Sequence, residues 1–147
     1  MKASLVAVGV ASTVLATGCV GPSRTDGDFE LKAGNTAASV ASALATARLV
    51  ADAAGDGKAT ANYASVAIGE AEQDASAAEA TFTSYQPPSA QADAVRKEVD
   101  EVVGDAVDGI AALRITVRRG QLDRLPKISD QLDPVATALE QLQEKYA

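Results

Sequence analysis

From about residue 35 to the C-terminus, apolar residues recur at steps of three and four, the period that gathers them on one face of an α-helix. Val40, Ala41, Leu44, Ala47 and Ala51 predict a first helix from about Asn35 or Thr36, either of which can cap it, to Ala54. Gly55-Asp56-Gly57 stops it, because glycine adopts the left-handed conformation that ends helices. A second stripe, Ala61, Ala64, Ile68, Ala71, Ala75, Ala78, Phe82 and Tyr85, predicts a helix from about Lys58 to Tyr85 that ends before Pro87-Pro88. Ser89 is the expected N-cap of the third. Its stripe is Ala92, Val95, Val99, Val102, Ala106, Ile110, Leu113 and Val117, and Gly120 closes it. A fourth stripe, Leu122, Leu125, Ile128, Leu132, Val135, Leu139, Leu142 and Tyr146, spans about Leu122 to Tyr146. Pro134 interrupts it and is expected to kink or break the helix near Asp130 to Asp133.

Four amphipathic segments joined by short turns predict an all-α fold, an antiparallel up-down-up-down four-helix bundle over residues 35–147. The 32 alanines and the 3% aromatic content support it: alanine is the best helix former, and an alanine core forces helices close together. In that topology the chain start, the second turn and the C-terminus share one end. Phe29, Phe82, Tyr85 and Tyr146 fall there, with Tyr63 alone at the other. They either plug a splayed end or form an aromatic ligand pocket or membrane-facing patch.

The first residues follow another rule. Lys2 precedes an uncharged, mostly apolar run from Ala3 to Ala16, shorter than the about 20 residues a spanning helix needs. Leu15-Ala16-Thr17-Gly18-Cys19 comes next, with the only cysteine of the chain at its end. This segment resembles the signal peptide and lipobox of bacterial lipoprotein precursors, with Ala16 where leucine is usual. The resemblance covers residues 1–19. It implies cleavage after Gly18, acylation of Cys19 and retention at a bacterial membrane, outside the cytoplasm. Residues 1–18 are then a signal peptide. Residues 19–34, with Gly21-Pro22-Ser23 and Asp26-Gly27-Asp28, read as the lipidated cysteine and a flexible tether.

Composition removes most chemistry. Histidine is absent, so Ser-His-Asp and Cys-His catalysis and His-ligated zinc or di-iron sites are excluded. No lysine follows a serine by three residues, and no glycine-rich phosphate loop is present. A net charge of −7 leaves no footprint for nucleic acid. The expectation is therefore a non-enzymatic binding or scaffold module of the envelope, with no cofactor and no resident metal.

Two charge clusters carry candidate interactions. Arg114, Arg118, Arg119, Arg124 and Lys127 make the third turn basic. They either compensate the helix dipole or dock an acidic envelope protein or anionic polymer. Glu98, Glu101, Asp105 and Asp108 form an acidic stripe on the third helix; the second adds Glu70, Glu72, Asp74 and Glu79, with Glu70 to Asp74 level with Asp100 to Asp105. They either solvate the surface, aided by pairs such as Asp93–Lys97 and Arg96–Asp100, or hold a hard cation. The alternative function is thus a small-ligand or cation-binding accessory to a transporter.

Overall fold

The computed structural model describes residues 23–147; the Leu15–Cys19 motif, with Gly18 and Cys19, lies outside the described residues. Within them the chain is all-helical, with five α-helices that pack together: α1 Asp26–Gly55, α2 Ala61–Ser84, α3 Ala90–Arg118, α4 Leu125–Asp130 and α5 Asp133–Lys145. A 3₁₀ turn, Leu122–Arg124, leads into α4.

α1 begins where a tether was expected. Thr25 caps it, its hydroxyl accepting from the Asp28 backbone N–H at 3.1 Å, and Asp26 and Asp28 suit the positive end of the dipole. Phe29, Ala33 and Ala37 then extend the buried stripe of Val40, Leu44, Ala47 and Ala51 back by about three turns. The tether reading of residues 26–34 is corrected accordingly. Gly34, the last residue of the expected tether, has a packing role: a Cβ there would stand 2.5 Å from the carbonyl oxygen of Tyr146. Gly34 is small so that the C-terminus can lie on α1.

The remaining boundaries follow local chemistry. α1 ends through Gly57, which donates to Ala54 O and whose φ of 73° lets the Lys58 and Ala59 amides return to the Ala53 carbonyl. Thr60 caps α2, and Ser89 caps α3 by accepting from Ala92 N at 3.2 Å. Gly120, at φ 71°, closes α3 and allows Gln121 N to reach Thr116 O. Pro134 lies in the first turn of α5, where a missing N–H leaves no bond unmade.

α1 and α3 form the central pair. α2 packs on both from one direction, and α4 and α5 also pack on both. α1 is long and apolar enough to cross a membrane. Like α3, it also touches every other helix, and a core helix has the same composition. Alanine supplies most buried positions of α1 and α2, while Val99, Val103, Ile110, Leu113, Leu125, Leu139 and Leu142 supply bulk from α3, α4 and α5. Leu132, between α4 and α5, drops into the notch that Gly109 leaves on α3. Gly55 makes a similar seat for Pro126.

Candidate functional site

One end of the domain gathers the start of α1, the end of α2, the start of α3 and the C-terminus. Phe29 and Phe82 are fully buried there, their ring centroids 5.2 Å apart. Tyr85 meets Phe82 edge-on at 6.5 Å and is half-buried. The two phenylalanines therefore fill the core, and only Tyr85 borders open space.

Arg96 organises this end. Its guanidinium donates to the carbonyls of Phe82, Thr83 and Tyr85 and lies 5.3–5.4 Å from both phenylalanine rings. The last carbonyls of α2 have no helical partner, and a cation at that end also meets the negative pole of the dipole. The expected pairing with Asp100 gives way to this role, because the Pro87-Pro88 turn brings the end of α2 within reach. Nε of Arg96 is buried without a partner. Ser89 adds a second link, its hydroxyl donating to Asp26 Oδ1 at 2.6 Å.

The C-terminus is clasped nearby. Lys145 Nζ and the Tyr146 hydroxyl both donate to Glu98, at 2.7 and 2.6 Å. The Lys145 hydrogen bond, followed by that of Tyr146, holds the Glu98 carboxyl below its ordinary range. The same hydrogen bond raises Lys145, and burial raises Tyr146.

The acidic stripe does not converge. Glu98 is engaged by Lys145 and Tyr146, while Glu101, Asp105 and Asp108 are exposed. Glu72 reaches across to α3, but toward Arg114: it accepts from Nε and from Nη2, the latter at 3.0 Å. Among the described residues no three acidic side chains lie close enough to share an ion. The cation reading of Glu98, Glu101, Asp105 and Asp108 is corrected on this ground. The helices approach through alanine stripes, so the carboxylates between them turn outward or find a cation.

The basic turn loses one member in the same way. Arg114 is paired with Glu72, which raises its already high pKa. Arg118, Arg119, Arg124 and Lys127 are exposed and make no ion pair among the described residues. Arg48 was absent from the sequence-based set. It crosses from α1 to Asp133 and, at 3.4 Å, to Ser129. Its signal was legible: it is the one charge in the otherwise uncharged run from Ala33 to Ala51.

No protein-family model matches the chain, and neither a curated protein nor a solved structure is significantly similar to it.

Proposed function

We propose that this protein is a bacterial lipoprotein whose helical domain is held outside the cytoplasm by an acylated Cys19 and serves as a non-enzymatic binding or scaffold module of the envelope. The observation that carries the reading is the segment Leu15-Ala16-Thr17-Gly18-Cys19, which puts the only cysteine of the chain behind a short apolar run. Acyl chains contribute about 0.8 kcal/mol per buried methylene, so two or more hold a domain of this size stably. The domain itself is read as an up-down-up-down bundle, with α4 and α5 as one fourth helix interrupted before Pro134.

In this reading the Ser23 end faces the lipid. A helix of 29 residues such as α3 rises about 44 Å, so Arg118, Arg119, Arg124 and Lys127 stand far from it. Their free cationic groups favour an acidic envelope protein or anionic polymer as partner.

The intact mass of the protein extracted from a bacterial membrane fraction tests the anchor. The expected mass is that of residues 19–147 plus acyl chains, lost together with membrane association in Cys19→Ser. A bare chain in the soluble fraction overturns the reading. Crosslinking capture from the envelope tests the partner surface. Reversal of Arg118, Arg119 and Arg124 to glutamate should deplete the captured set, with stability unchanged to within about 0.5 kcal/mol per exposed site. An unchanged set rejects the basic turn as the docking surface.

A further inference from the structure

We propose that the groove between α1 and α2 beside Tyr85 binds a polyhydroxylated ligand carrying one anionic group, of the sugar-phosphate or inositol-phosphate class. The groove holds about 350 Å³, within the range of small-ligand sites. Lys32, Asn35, Thr36 and Ser39 line it from α1, Thr81 from α2 and Tyr85 from just beyond its end, and two alanines complete it.

The hydroxyl protons are already committed. Thr36 donates to Lys32 O at 2.9 Å, Ser39 to Asn35 O at 2.9 Å, and Thr81 to Ala77 O at 2.7 Å. A hydroxyl that gives its proton to a carbonyl one turn back keeps its lone pairs as acceptors. Three acceptors in one groove call for a ligand rich in donors, and a polyol supplies them. Lys32 is the single charged group in the lining, in a chain of net charge −7. Its Nζ is fixed 4.1 Å from the centre of the Tyr85 ring and donates to Ser23 Oγ at 3.0 Å. It forms no ion pair among the described residues. One ordered cation without a carboxylate matches one anionic substituent on the polyol.

Such a group is found on soluble sugar phosphates and on lipid headgroups alike. Cys19 lies four residues before Ser23, a reach of at most about 14 Å. Placing the groove at the lipid surface rests on the anchoring reading; the chemistry of the groove does not.

The test titrates the full chain, in a sugar-free zwitterionic detergent, with myo-inositol 1-phosphate, myo-inositol and inorganic phosphate by calorimetry. Inositol phosphate should bind with a dissociation constant on the order of 1 mM, and the other two at least about tenfold more weakly. Lys32→Gln should weaken inositol phosphate about tenfold and leave inositol unchanged. Ala77→Leu should block the groove; Ala77 is exposed, so an unchanged melting temperature separates blockage from unfolding. Flotation of the Cys19→Ser chain, which carries no acyl anchor, with phosphatidylcholine vesicles, with and without phosphatidylinositol, identifies the source. A preference for phosphatidylinositol that Ala77→Leu removes supports a headgroup, and binding of the soluble probe without that preference supports a free ligand. Absence of both, equal affinity for inorganic phosphate, or affinity that survives both substitutions overturns the proposal. A bare Cys19 in the mass measurement removes the anchor and leaves the titration result standing.

Discussion

Two glycines in the described helices differ only in what their missing Cβ would meet. Gly34 faces the backbone of Tyr146, whereas nothing lies within 4 Å of the corresponding point at Gly104. Alanine gains about 0.8–1.0 kcal/mol over glycine in a helix interior. Gly104→Ala should therefore raise stability by nearly that amount. Gly34→Ala should lower it by about 1–3 kcal/mol, since the C-terminus has to lift away. Urea denaturation of the two variants measures the contrast, and similar changes would remove the close-approach role of Gly34. At Arg96 the fork of donors matters more than the charge. Arg96→Met should lose about 1–3 kcal/mol because the Thr83 and Tyr85 carbonyls lose this donor and that of Phe82 keeps only Tyr85 N. Arg96→Lys should recover little of it, as a single ammonium cannot span them; full recovery in the same assay would reduce Arg96 to a point charge.

Among elements, the join of α4 and α5 depends on one knob in one hole. A Cβ at Gly109 would stand 2.4 Å from Leu132 Cδ2, a flexible side chain rather than backbone. Leu132→Ala should cost about 2–5 kcal/mol through the cavity it leaves. Gly109→Ala should cost less in that background than in the wild type, so the double-mutant cycle should show a coupling of about 0.5–3 kcal/mol. Additive costs would mean that the two residues do not share the space. The end of α5 carries a pH-dependent contact. Glu98 is held below its ordinary value of 4.5, chiefly by Lys145. The unfolded chain takes up a proton first, so this stabilisation is present above pH 4.5 and is lost as pH falls through the lower folded value. The gap in melting temperature between the wild type and Glu98→Gln should be constant from about pH 6 to 8 and close below about pH 4. A gap unaffected by acid would show that the carboxylate charge contributes nothing there.

At the scale of the whole molecule, charge and ring content are divided between the ends. The end holding Ser23 and Tyr85 has buried phenylalanines, a capped α2 and a groove with one cation. The other carries free arginines where α3 gives way to α4. Glu101, Asp105 and Asp108 are exposed along α3, and among the described residues no three acidic side chains gather around an ion site.

Sequence alone determined what depends on neighbours within a turn or two. Helical periodicity, the Ser89 cap and the Gly120 stop were legible, since each rests on residues within a turn of one another. The tertiary structure decided the rest. Gly34 looked like part of a tether until Tyr146 lay upon it, and Arg114 belonged to the basic turn until Glu72 reached it from α2. Arg96 had a local partner in Asp100, yet the carbonyls at the end of α2 took it, because helix ends need donors more than an exposed ion pair needs its cation. Lys32, likewise, became part of a groove only when α2 set Tyr85 beneath it. Local pattern marks where most of the helices lie; the distances between those helices decide which side chains work together.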